Sequence, residues 1–234
     1  CASAIGTSLN VSPHYRNNSV SCLSALTELD LIKAVNLIDA TSNADILAEL
    51  SSSLKILALN LSKISNDLRL LSSGPRTMIG DINLPSKQNG SSIMPGKVNP
   101  VIPELINQIA FRVIGNDTTV NYCVEAGQLQ LNAFLPMAFH SIFESIQILN
   151  NGMKTLRVNC IDGISANTDK MREDIEKSTG IVTALVPIIG YEKSAQIAKE
   201  ALCTGKGILE IVREDKIMSE DEIEKLLEPM SMTE

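Results

Sequence analysis

Between Thr41 and Ser73 the chain carries neither Gly nor Pro, and Leu47, Leu50, Leu54, Leu57, Leu61, Ile64, Leu68 and Leu71 recur at steps of three and four. Apolar residues at that spacing share one face of an α-helix, so the pattern predicts a helix of about eight turns with a heptad seam along it. Ser42, three residues before Asp45, is placed to cap its start. Ile46, Ile56, Leu59 and Leu70 lie off the seam and predict that more than one side is covered. A second seam runs Ile102, Ile106, Ile109, Val113, Asn116, Val120, Cys123, and a third runs Leu135, Phe139, Ile142, Ile146, Leu149, Met153, Leu156, Cys160. Three such helices packed lengthwise predict an all-α fold, a long-helix bundle. Asn132 reads as the N-cap of the third helix, where Pro136 falls in the tolerant first turn. Asn116 puts a polar group inside the second seam, where fixing register is favoured over contacting a ligand.

After Gly163 the pattern shortens to segments at Asp169–Ser178, Ala195–Thr204, Ile208–Asp215 and Ser219–Glu228. Ser219 and Glu222 form a capping box, and Gly205 stops the preceding helix. The expected organisation is therefore a helical bundle over residues 1–165 followed by a small helical C-terminal domain over 166–234. Between the first two long helices, residues 74–99 hold four of the thirteen glycines and three of the nine prolines. A loop of that length inside a compact domain is functional or disordered.

Hydrophobic residues make up 44% of the chain but aromatic ones only 3%, with no Trp, so the core must be aliphatic, which favours helices over sheets. The formal charge of −7, with Lys and Arg scattered, argues against nucleic acid as a partner. Five cysteines form no C-x-x-C pair, and their odd number suits reduced thiols in the cytoplasm and makes structural zinc improbable. His14 and His140 have no carboxylate or second histidine at ligand spacing, so they read as surface or packing residues, and neither a metal nor a cofactor is expected. No apolar run approaches the roughly 18 residues of a membrane span, so no membrane association is expected. The first residue is Cys1, not Met, in what reads as the middle of a longer protein.

The candidate chemistry lies in GSSIMPGKVN, residues 90–99. Gly90 and Gly96 bracket a flexible segment containing Ser91, Ser92 and Lys97 that could close over a ligand. Asn99-Pro100 then opens a helix, Asn as a favoured N-cap and Pro as a favoured first residue. The unpaired N–H groups and positive end of that helix, together with Lys97, can hold a carboxylate, which an acidic chain needs if it handles an anion. Spacing alone favours the plainer reading, a glycine-rich turn before a helix with Lys97 solvated and the serines as caps. A P-loop is a weaker reading still, because the glycine spacing differs and no strand precedes it.

GSSIMPGKVNP resembles the signature of the fumarase and aspartase superfamily, and the resemblance continues through SKISNDLRLLSSGPR, INLP, NQIAFRVIGNDTTV and the tail SEDEIEKLLEPMSMT. EAGQLQLN is similar to the aspartase branch rather than to fumarase. The resemblance implies an elimination that releases fumarate, with L-aspartate the favoured substrate and ammonia the leaving group. It implies that Ser91 is the catalytic base, that Ser92 contacts substrate, that Lys97 and Asn99 hold a substrate carboxylate, and that Glu104 pairs with a histidine from elsewhere in the assembly. Glu104 also suits the start of a helix simply as an acid complementing the dipole. AIGTSLN, residues 4–10, resembles the family's AIGTGLN with Ser8 in place of Gly, a departure that bears on the local turn.

The family builds each site from three sequence regions donated by three subunits of a homotetramer, and only the third region matches here. The chain alone is therefore expected to show little lyase activity and to self-associate. The alternatives are a fumarate hydratase of the same superfamily and a non-catalytic helical oligomerisation module.

Overall fold

The computed structural model of the 234-residue chain describes residues 3–74, 77–88, 90, 94, 96 and 98–227, and is all-α apart from one two-stranded sheet. The chain divides into two compact units, one made of Cys1–Ser72 with Leu84–Ile164, the other of Ser73–Asn83 with Ser165–Glu234.

The first unit is a bundle of three long helices, α3 (Asp45–Leu71), α4 (Val101–Glu125) and α5 (Leu135–Asn159), preceded by α1 (Pro13–Thr27) and the single turn α2 (Asp39–Ser42). The helix expected from Thr41 is broken at Asn43, whose backbone is extended. Ser42 does not cap α3. Its hydroxyl donates back to the carbonyls of Ile38 and Asp39, and the Asn43 amide bonds Asp39, the local bonds by which short polar side chains compete with a helix.

The α3 seam also differs from expectation. Its most buried line is Ser51, Ala58 and Ser65, seven residues apart, with Leu54, Leu61 and Leu68 flanking it half-buried. Leu50, Leu57 and Ile64 are exposed. Small residues on the contact line let α3 and α4 approach closely, and the leucines pack beside that line. In α4 the expected seam holds, with Ile106, Val113, Asn116, Val120 and Cys123 buried. In α5 the buried set is Ala138, Ser141, Ile142, Ser145, Leu149, Gly152 and Leu156, while Phe139, Ile146 and Met153 of the predicted seam are exposed. A Cβ on Gly152 would lie 2.7 Å from Cδ1 of Ile109, so this glycine marks a close approach of α5 to α4.

Polar residues tie these helices together. The Asn116 amide donates to Glu144 at 2.8 Å, to the Ser145 hydroxyl at 3.0 Å and to the Ser141 carbonyl at 3.3 Å, joining α4 to α5. Asn132 is not the N-cap of α5, a position occupied by Phe134. Its side chain accepts from Phe134 N at 2.8 Å and donates to the Cys123 carbonyl at 2.8 Å, so it links the end of α4 to the start of α5. Pro136 does fall in the first turn of α5. α1 was not expected, because its apolar residues form no stripe, and none of its residues is buried.

In the second unit β1 (Ile82–Asn83) pairs antiparallel with β2 (Ser165–Ala166), and the side chains of Asn83 and Asn167 bond each other. α6 (Thr168–Lys177), α7 (Val182–Ile189), α8 (Tyr191–Thr204), α9 (Ile208–Glu214) and α10 (Glu220–Leu226) follow. Ile181, Leu185, Ile197, Ile208, Leu209, Ile211, Val212 and Ile223 form their core. The Ser219–Glu222 capping box is present and Gly205 is left-handed after α8. α8 starts at Tyr191 rather than Ala195, and α7 was not anticipated, since Pro187 inside it reads as a helix breaker. No helix among the described residues is long and apolar enough to cross a membrane.

Near the start of the chain Ala4, Ile5, Gly6, Ser8 and Asn10 all have positive φ. Gly6 is required, because a Cβ there would lie 2.3 Å from the Leu37 carbonyl oxygen. Ser8, at φ +60°, is buried with no partner for its hydroxyl among the described residues. A left-handed conformation costs a non-glycine residue about 1–2 kcal/mol, partly offset in glycine by greater chain entropy. Ser8→Gly is therefore expected to raise stability by about 1 kcal/mol, read as a higher urea midpoint.

Hydrogen bonds from Asn116 and Arg112 hold the Glu144 carboxyl below its ordinary value of 4.5. A carboxyl shifted this way adds stability that is complete above the ordinary value and fades as pH falls through the lowered one. Glu144→Gln is expected to flatten this part of the acid limb, measured by urea midpoints between about pH 5 and pH 3.

Candidate functional site

The head of α4 is where the sequence places its chemistry. Pro100 occupies the capping position, ahead of Val101, and Pro103 is buried in the first turn, so the rigid φ of two prolines fixes how the chain enters the helix. Asn99 does not cap the helix with its side chain. Its amide instead donates to the Gly90 carbonyl at 2.7 Å, spanning the segment from its first residue to the helix entry. Gly96, exposed at φ +83°, supplies a left-handed turn within that span.

The anion-holding capacity of this helix start is smaller than the sequence suggested. The N–H of Val101 bonds the Asn99 carbonyl at 2.8 Å and that of Glu104 bonds the Pro100 carbonyl at 3.1 Å. Pro103 has no N–H, which leaves Ile102 as the first-turn amide without an acceptor among the described residues. The dipole still favours an anion here, but Glu104, half-exposed in the same turn, opposes one. An anion held at this end therefore needs cationic side chains as well.

Of the other expected site residues, Ser91, Ser92 and Lys97 lie outside the described residues. Gly90, Gly96, Asn99 and Glu104 are described, and the observed bond joins Gly90 to Asn99. His14 Nδ1 accepts from the Asn18 amide at 3.1 Å, and among the described residues no three His, Cys, Asp or Glu side chains gather as a metal set would.

One group beside the helix start went unnoticed in the sequence. Asn107, on the second turn of α4, donates to Ser62 and Asn66 of α3 and accepts from Arg69 near the end of α3. The signal available was faint: a polar residue directly after the seam position Ile106, where helical geometry turns it toward a neighbour.

The described fold matches known proteins closely. A family model described as "Lyase" matches residues 1–115, and one described as "Fumarase C C-terminus" matches residues 181–234. The chain is 48% identical over 232 residues to aspartate ammonia-lyase of Bacillus subtilis (strain 168) and 52% identical over 229 residues to that of Pseudomonas aeruginosa. The chain belongs to the fumarase and aspartase superfamily. Superfamily members of solved structure overlay it well. The fumarate lyase:delta crystallin of Brucella melitensis, in a crystal bound to cobalt, gives a TM-score of 0.91 at 45% identity, covering 98% of this chain and 50% of that one. Class II fumarase from Schistosoma mansoni gives 0.84 at 32% identity, covering 98% and 51%. The curated relatives are covered over 49% and 48% of their length, against 99% and 98% of this chain, so the chain spans about half of the proteins it matches.

The Asn99–Gly90 bond is one constraint on this segment. A single neutral hydrogen bond contributes about 1 kcal/mol net, so Asn99→Ala, which strips the Gly90 carbonyl of its donor, is expected to lower stability by about that amount, read as a lower urea midpoint.

Proposed function

We propose that this chain is the later half of an aspartate ammonia-lyase, which converts L-aspartate reversibly to fumarate and ammonia. The observation that carries the reading is the sequence GSSIMPGKVN at the head of α4, in a chain about half identical to enzymes of that name over nearly its whole length. In this reading Ser91 removes the C3 proton next to the β-carboxylate. The electron pair passes into that carboxylate, giving a doubly negative aci-carboxylate, and its return expels ammonia from C2. A serine hydroxyl is a weak base in water, so the segment must exclude solvent and donate N–H bonds to the alkoxide.

Lys97 and Asn99 suit the aci-carboxylate, where charge builds up most, and Ser92 suits substrate contact. Glu104 has two compatible roles, complementing the helix dipole and orienting a histidine from elsewhere. The reaction requires no cofactor or metal. The apolar residues left exposed on α3 and α5, among them Leu50, Leu57, Ile64, Phe139, Phe143 and Ile146, support assembly into the homotetramer in which three subunits complete each site. The cytoplasm is the compartment that suits a set of free cysteines without disulfides among the described residues.

The second reading within the superfamily is fumarate hydratase. It is disfavoured by EAGQLQLN, and the identity to the schistosome fumarase, 32%, falls below the 48–52% with the ammonia-lyases. A helical module without catalysis is the reading from a different class.

The test is an assay of the parent reading frame and of this chain alone, on L-aspartate and L-malate, followed by fumarate absorbance. The parent is expected to form fumarate from L-aspartate, and the chain alone to do so at less than about a thousandth of that rate, because a base with one carboxylate clamp does not orient the amine. Turnover of L-malate in place of L-aspartate would select the hydratase, and an inactive parent would select the module.

A further inference from the structure

We propose that Asn107 and Arg69 are positioning residues that set where the head of α4, with the segment it anchors, lies along α3; the proposal rests on the lyase reading above. The contact line between these helices does not set that position by itself. Ser51, Ala58 and Ser65 repeat every seven residues along α3, and Ala58 packs against Ala110 and Val113 of α4. A line of small residues with a heptad repeat packs almost as well after a slip of one heptad, about 10 Å along the helix. Polar groups that find partners in a single register remove that freedom.

Two such ties join α3 to α4. The one far from the site is Asp117, whose side chain is only 4% exposed. It accepts from Ser51 at 2.9 Å, from Lys55 at 2.5 Å and, within α4, from Asn121 at 3.2 Å. The near one is Asn107, 5% exposed. Its amide donates to the Ser62 hydroxyl at 2.8 Å, the Ser62 carbonyl at 3.2 Å and Asn66 Oδ1 at 3.1 Å, while its own oxygen accepts from Arg69 Nη1 at 3.2 Å. Both hydrogens and the oxygen of one amide are thus engaged on two turns of α3, which fixes both the plane of the amide and the height of α4.

At 1.5 Å per residue Asn107 lies about 9 Å along the helix from Val101, and Asp117 about 24 Å. A tilt or slide allowed by loss of the near tie moves the helix head directly. Loss of the far tie is damped by the near one. Arg69 has a second effect, since its guanidinium is brought against the second turn of a helix whose first turn holds Glu104 and few open N–H groups. Misplacement of a catalytic group by about 1 Å can cost about a hundredfold in rate.

The test compares Asn107→Ala, Arg69→Gln and Asp117→Asn in the enzyme that contains this chain. It reads Tm, kcat and KM for L-aspartate, and amide exchange at residues 101–106 and 117–123. Asn107→Ala and Arg69→Gln are expected to lower kcat/KM by about ten- to a hundredfold, and Asp117→Asn by less than about threefold at an equal or larger loss of Tm. Arg69→Lys, which keeps a donor and the charge, is expected to recover part of the loss. Arg69 is exposed, so Arg69→Gln decides the matter even where Asn107→Ala fails to fold. Equal losses of kcat/KM per degree of Tm from the near and far variants, or none from the near ones, would overturn the proposal. Where the unaltered enzyme acts on neither L-aspartate nor L-malate, the lyase reading has failed and exchange decides. Faster exchange confined to 101–106 in the near variants upholds the tie, and uniform change along α4 rejects it.

Discussion

Everything in the bundle depends on how closely three rods can lie. α3, α4 and α5 run 27, 25 and 25 residues, and their contact lines are filled with Ser, Ala and Gly as much as with Leu and Ile. Close approach gains dispersion contacts along the whole length of the backbone, but it leaves little room for large side chains to interlock and so to choose one register. Choice of register then falls to buried polar groups. Asn107 and Asp117 toward α3, Asn116 toward α5 and Asn132 at the α4–α5 turn are buried, and each has its hydrogen bonds made inside the bundle. Such groups are costly to bury without partners, so they penalise every register but one.

This arrangement explains which parts of the fold could be read from the sequence. The existence of the three long helices, the α4 seam and the Ser219–Glu222 capping box follow from periodicity and from end signals that act within one turn. Which face of α3 is most buried does not. Leu50, Leu57 and Ile64 fit the helical period as well as Leu54, Leu61 and Leu68 do, and hydropathy favours either line over Ser51 and Ser65. Only the spacing of the neighbouring helix decides that the small residues take the centre. The same blindness accounts for Asn132, whose spacing from α5 suggested a cap but whose amide spans back to α4. The pairing of Ile82 with Ala166, more than eighty residues away in sequence, has no local signal at all.

The site was legible in a different way. Ser91, Ser92, Lys97, Asn99 and Glu104 were drawn from the resemblance, the first four from one short segment, and residue chemistry alone favoured a solvated turn. Geometry adds the Asn99–Gly90 span and alters the role of Asn99, which ties the segment to the helix entry rather than capping the helix. Arg69 and Asn107 lie within two of the resembling segments, SKISNDLRLLSSGPR and NQIAFRVIGNDTTV, but the resemblance attached no role to either, and a guanidinium touching an amide across two helices becomes visible only when both helices are placed.

Electrostatics couples helix register to the charge at the head of α4. In the proposed reading an acidic chain holds a dicarboxylate, so it must concentrate positive potential where the substrate's charge grows, against a net field that repels it. A helix start commonly supplies part of that potential through open N–H groups, yet of the first four positions here Val101 and Glu104 are already bonded and Pro103 has no N–H, which leaves Ile102, and the Glu104 carboxylate opposes an anion. Side-chain cations must therefore supply most of the attraction. In the proposed reading Lys97 supplies one of them. Arg69 reaches α4 through Asn107, so the bond that sets the height of the helix also brings a permanent cation to its second turn. Register and charge at this end of α4 are then fixed by the same pair of residues, and a change that disturbs one disturbs the other.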